Sequence, residues 1–163
     1  MEAAEAIFDA IEAAINADTG AGGLLNTAFD GYVRGGVFMV DDTRALTIRD
    51  RPQVRVEVSS RDKSPNPAGA TPDGACEFFD NVVTLWVIDH RDQDVARRAE
   101  RTAARLRALF QFTTLSTITD ADDNTRAWYF APMARINLTG SPPSGHEIRI
   151  PLSFRLPVSK GTV

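Results

Sequence analysis

One cysteine, Cys76, and two histidines, His90 and His146, are all that 163 residues offer in soft metal ligands. No intrachain disulfide can form, and a structural zinc site is short of donors. This usage suits a reducing compartment. Long apolar runs are missing as well, since none approaches the roughly eighteen residues of a membrane-spanning helix. The amino terminus, "MEAAEAIFDAIEAAI", is acidic and amphipathic rather than basic and then apolar, so neither secretion nor membrane insertion is signalled. An excess of basic charge is absent too: the net charge is -4, and any contact with nucleic acid would have to be local.

Catalytic signatures are equally scarce. No Gly-x-Ser-x-Gly elbow, His-Glu-x-x-His pair or Cys-x-x-Cys spacing occurs, and the glycines at 20–23 and 35–36 fit neither a P-loop nor a dinucleotide fingerprint. They read as turns. Asp89, His90, Arg91 and Asp92 bring a histidine beside carboxylates, the makings of a general base. Polar residues are also what any turn from strand to helix needs for capping and solvation, and that plainer reading is preferred. "DADDNT", residues 120–125, imitates the opening of a calcium loop, but Thr125 stands where the tight-turn glycine belongs and Ala131 where the closing glutamate belongs. It reads as a solvated turn between strands. Asp41 and Asp42 with Asp120, Asp122 and Asp123 supply carboxylates for a two-metal nuclease, yet nothing in their spacing joins them. The expectation is no catalytic residue, no cofactor and no metal.

What is present is the patterning of a folded chain. Apolar residues make up 43% and charged residues 25%, ordinary for a globular protein, and at this length one domain spanning 1–163 can bury roughly 70% of its unfolded surface. Ala4, Ile7, Phe8, Ile11 and Ile15 line one face of a helix over about residues 2–17, with Glu2 and Glu5 at the positive end of its dipole. "LLNTAF" reads as a further helical turn and "VFMV" as a short strand. In "QVRVEVSS" the valines 54, 56 and 58 alternate with Arg55 and Glu57, the mark of a half-buried strand. The stretch from about 60 to 75, with three prolines and two glycines, reads as a long flexible loop.

From Phe78 to Ile88 both parities are apolar: Val83, Leu85 and Val87 on one side, Val82, Trp86 and Ile88 on the other. This is a central strand covered on two faces, and where helices cover only one, another subunit is a candidate for the second. A helix follows from about Gln93 to Phe110, capped by Asp92 or Asp94, with Val95, Ala99, Thr102, Leu106 and Leu109 as its apolar stripe. Beside that stripe Arg97, Arg98, Arg101 and Arg105 form a basic one about 100° wide. It is either a solvated face or a surface for pairing with acidic groups of another subunit. "RAWYFAPMARINLT" reads as a strand interrupted near Pro132. In "IRIPLSFRLPVS" the alternation is unbroken, and Pro151 and Pro157 remove two donors from the same edge. The reading is an edge strand paired through its even residues, its open edge closed to indiscriminate strand addition. The expected fold class is α+β: a mostly antiparallel sheet packed by an amino-terminal helix and a second long helix.

This order of elements, above all "VVTLWVIDHRDQDVARRAERTAARLRALF" as strand then helix and the arginine-punctuated closing strand, resembles the tail-terminator family of tailed bacteriophages and related tail-like particles. The resemblance implies a virion protein that assembles as a homo-hexameric ring on the end of the tail tube and stops its polymerisation. It would offer a docking surface to neck or head-completion proteins, with DNA passing only through the lumen, and it would act without catalysis. Host cytoplasm is the expected place of assembly. From pattern, the expected contact residues are Trp86, Arg97, Arg98, Arg101, Arg105, Arg149 and Arg155. A stopper protein of the neck is a sister reading, told apart by whether the chain binds tail tubes or portal-bearing heads. A small metal-dependent nuclease is the rival from another class, told apart by DNA cleavage with Mg²⁺ or Mn²⁺.

Overall fold

Isoleucines 7, 11 and 15 recur once per turn, and burying all three makes Ala3–Asn16 a helix, α1. In the computed structural model of the protein, residues 3–62, 78–90, 95–119, 125–132 and 147–159 are described. After α1 the chain turns sharply. Asp18 accepts the Leu24 amide at 2.8 Å, and Gly23 sits so close to the Asp18 carbonyl that no Cβ would fit. "LLNTAF" continues in turns rather than in the helical turn expected of it, with the Asn26 side chain bonded to the Gly20 carbonyl and the Ala28 amide. Asparagine offers the backbone those local bonds in place of a helix.

The expected short strand is β1, Val37–Met39. A single helical turn that periodicity did not announce, α2 at Arg44–Thr47, leads to β2, Gln53–Asp62. The central strand, β3, is longer than expected at Phe78–His90, and the long helix, α3, runs Val95–Phe110. Its proposed caps, Asp92 and Asp94, lie outside the described residues, as does the 63–77 part of the expected loop. Phe112, at φ 60°, takes the left-handed position just past α3 where glycine is usual, and its amide donates to the Phe130 carbonyl at 3.0 Å. Two strands follow, β4 at Thr114–Thr119 and β5 at Thr125–Tyr129, then a two-residue β6, Ala131–Pro132, and the closing β7, Glu147–Ser159.

The main sheet has the order β1-β2-β3-β7-β6, and only the β1–β2 pairing is parallel. The α+β class, with a mostly antiparallel sheet and two long helices, is the architecture observed. β4 and β5 pair separately, with an irregularity between Leu115 and Ile118. The strand expected to be interrupted near Pro132 is broken at Phe130, and its two pieces belong to different sheets. Between them Phe130 turns inward, fully buried, with its ring 5.3 Å from Phe110 and 5.7 Å from Phe154.

Parity assigns each sheet residue to a face. Val54, Val56, Val83, Leu85, Val87, Ile150, Leu152 and Phe154 share one face and form a single core with Ile7, Ile11 and Ile15 of α1 and Ala99, Ala103, Leu106 and Phe110 of α3. Both long helices cover this face. At about 1.5–3 kcal/mol for each large buried side chain, it holds the molecule together. β7 is not the outermost strand expected of it: β6 lies beside it, pairing Ala131 with Arg155 and Pro132 with Phe154. That pairing falls between Pro151 and Pro157, where the outward N–H groups persist. The inner edge of β7 pairs with β3 over thirteen residues.

Candidate functional site

The other face of the sheet carries Gln53, Arg55 and Glu57 from β2, Val82, Thr84, Trp86 and Ile88 from β3, and Arg149, Pro151, Ser153 and Arg155 from β7. Neither long helix packs here. Only the end beside α2 is closed, and that changes the reading of β2, which was expected to be half-buried. Gln53 is fully buried and Arg55 is 7% exposed, because the 43–52 segment folds over them. Gln53 donates to the Ala45 carbonyl at 3.2 Å and accepts from Arg55 Nε at 2.8 Å. A polar side chain under a loop meets backbone carbonyls, which an apolar one could not satisfy.

Arg51 anchors that loop, donating to the Ile48 and Asp50 carbonyls and to Glu147 at 3.4 Å. Its Nε is buried without a hydrogen-bond partner. Glu147 also accepts from Arg149 at 3.2 Å. Burial works to raise the Glu147 carboxyl, but Arg149 and Arg51 more than offset it and leave it below the usual carboxylate range. Arg55 moves below its ordinary value, first through burial and then through Arg51 and Arg149, with Glu147 opposing. Three guanidinium groups thus crowd around one carboxylate at this end of the face.

Beyond that end the face opens. Trp86 is half-buried and donates its indole N–H to Glu57 at 2.8 Å, and Thr84 and Ser153 share a hydrogen bond of 3.0 Å. Ile88 is buried, whereas Val82, Trp86 and Pro151 are only half-covered. The expectation that both sides of β3 are covered holds fully on the helix side and partly on this one. Arg149 and Arg155 are exposed.

The arginines of α3 are placed differently from Trp86, Arg149 and Arg155. Arg98 grips Asp89, Arg101 reaches Asp30, and Arg105 grips Asp18. Three of the four arginines expected to meet acidic groups of another subunit meet aspartates of their own chain. Arg97 is exposed beside an open depression that it lines with Glu100, Arg101 and Ala104. The Asp18 carboxyl lies below its ordinary range, chiefly through the Arg105 hydrogen bonds, against the opposing effect of burial. These pairs fasten α3 to the turn after α1 and to β3. The spacing of the arginines gave their side of the helix; their partners, 71 and 87 residues away for Arg101 and Arg105, left no local trace.

Of the cluster Asp89, His90, Arg91 and Asp92, the last two lie outside the described residues. The fully buried Asp89 carboxylate accepts from Arg98 rather than orienting the His90 ring, whose Nε2 lies 3.0 Å from the Arg49 carbonyl. Asp42 is held by Arg44 at 2.7 Å. Asp120, Asp122, Asp123 and His146 lie outside the described residues, and among the described ones no group of three or more His, Cys, Asp or Glu side chains could hold a metal ion. No helix among the described residues is long and apolar enough to cross a membrane. Compared with protein-family models and with curated proteins, the chain matches none.

Proposed function

We propose that this chain is a structural subunit that assembles with copies of itself into a ring on the end of a phage tail tube, ends tube growth there, and presents a surface to neck proteins. The observation that carries the reading is the unequal clothing of the sheet. One face is sealed by α1 and α3, while the other presents a half-covered tryptophan among arginines. Aromatic and arginine side chains are the residue types that most often anchor protein contacts. The resemblance in element order supplies the kind of particle. Pro151 and Pro157 favour controlled assembly, because a strand edge lacking those donors is a poor template for an arbitrary second strand.

Termination needs shape rather than chemistry. A ring whose subunits meet head to tail closes on itself, so the tube gains no free site for its next subunit. The hole passes DNA without any base being read, in keeping with the net charge of -4. The test is to assemble particles without this chain and measure tail length by electron microscopy. Tubes of uncontrolled length that fail to join capsids are expected; uniform tubes that still join would overturn the reading.

A further inference from the structure

Arg55 is a nearly buried cation whose one hydrogen bond among the described residues goes from Nε to the neutral Gln53 side chain. Its two Nη groups, the end-on fork of the guanidinium, have no partner among those residues and yet are not sealed from solvent. Arg149 stands on the same face, on the other side of β3, and spends Nη2 on Glu147, leaving Nε and Nη1 without a partner among the described residues. Arg51 is committed already: its Nη groups go to the Ile48 and Asp50 carbonyls and to Glu147, and its Nε is buried.

Glu147, Arg51 and Arg149 are the charges that Arg55 feels most, and Glu147 is shared between the other two arginines. Glu57, two residues along β2, accepts the Trp86 indole N–H. Arg49 and Asp50, exposed on the covering segment, offset each other, and His90 turns Nε2 to the Arg49 carbonyl. Even with Glu57 included, three guanidinium groups meet two carboxylates. Arg155 and the register partners Arg61 and Asp80 lie four and six residues beyond Arg55 along the strands, about 13 and 20 Å away. Salt screens charges beyond about 8 Å, so they leave this balance unchanged.

We infer that this end of the open face binds a phosphate-class oxyanion, with the Arg55 fork and the free N–H groups of Arg149 as donors and Arg51 adding charge without contact. Burial makes the site, because a cation withdrawn from water regains in a bound anion the interaction that it lost with solvent. The donors select the anion. They stand on either side of β3, and a tetrahedral oxyanion presents oxygens toward both, whereas a planar carboxylate is served by a single guanidinium fork. A bound anion also steadies the 43–52 segment that lies over Gln53 and Arg55, so binding should stabilise the fold. The site belongs to the single subunit, so this inference and the assembly reading can fail separately.

The full-length chain and inorganic phosphate supply the test. Phosphorus-31 line width and thermal unfolding are followed as phosphate replaces chloride at constant ionic strength, with acetate as the planar comparison. Saturable phosphate binding, with a rise in unfolding temperature that tracks it and little response to acetate, is expected. Arg55→Gln should weaken phosphate binding about tenfold or more, as the loss of charge-assisted hydrogen bonds requires. Arg149→Gln, at an exposed position where folding is not at stake, should weaken it severalfold, and Arg97→Gln, on α3, should leave it unchanged. Phosphoserine in a further arm separates the two sources of this chemistry: binding at least as tight as phosphate extends the site to monoesters, and weaker binding confines it to the free ion. No saturable effect beyond chloride, acetate acting as well as phosphate, or Arg149→Gln behaving like Arg97→Gln would each overturn the site. So would a DNA oligonucleotide that displaces phosphate at far lower concentration, since the arginines would then serve backbone diesters.

Discussion

Arg98, in the first turn of α3, grips Asp89, the penultimate residue of β3, in a fork: Nε donates to Oδ2 at 2.8 Å and Nη2 to Oδ1. The carboxylate is fully buried while the guanidinium keeps a third of its surface in water. Removing Arg98 would leave a charge in the interior with its amide bond to His90 as remaining support. Arg98→Ala should therefore cost about 3–5 kcal/mol in urea unfolding, and replacing both residues together by Met and Leu much less, since no charge is then stranded.

The Asp18–Arg105 pair predicts an acid limb. Asp18 is shifted down in the folded protein, so its contribution is complete above the ordinary carboxylate range and is lost as pH falls through the lowered value. Asp18→Asn should be about 2 kcal/mol less stable near neutral pH, from weaker bonds to Arg105 and to the Leu24 amide. Thermal unfolding across pH should show the gap between parent and variant narrowing below about pH 4. A gap unchanged down to pH 2 would mean that the pair contributes nothing.

Phe130 joins the carboxyl end of α3 to β7 through its contacts with Phe110 and Phe154. Phe130→Ala should cost about 3–5 kcal/mol in denaturant unfolding, and Phe130→Leu less than half of that, because the cavity left behind is smaller.

Trp86 reports on the open face. In a Trp128→Phe background, its emission should shift to shorter wavelength on assembly, as the half-covered indole leaves water, and Glu57→Gln should alter the starting spectrum by weakening the 2.8 Å bond to the indole N–H. Fluorescence that is identical in free and assembled protein would place the contact elsewhere.

Period and composition carried the two long helices, the central strand, the closing strand and the fold class. These depend on repeats of 3.6 and 2 residues that burial imposes directly on the chain, as Ile7, Ile11 and Ile15 or Ile150, Leu152 and Phe154 show. The same reading set a turn between strands at 120–125 without giving β4 bounds of its own, and it put the break of the next strand near Pro132 rather than at Phe130, since short strands leave too few periods to register. It also took Arg55 for an outward-facing residue of a half-buried strand, where it is 7% exposed. Alternation says which side of a strand a residue occupies, but not whether a loop later folds over that side.

The arginines divide along the same line. Helical spacing alone put Arg98, Arg101 and Arg105 on one side of α3, and nothing nearby in the chain announced Asp89, Asp30 and Asp18 as their partners. Local periodicity is a property of neighbours and survives in a string of letters. An ion pair between residues 71 or 87 positions apart exists only once the sheet and both helices have packed, and it is that packing which paired Arg101 and Arg105 within the chain and left Arg149, Arg155 and Trp86 on the open face.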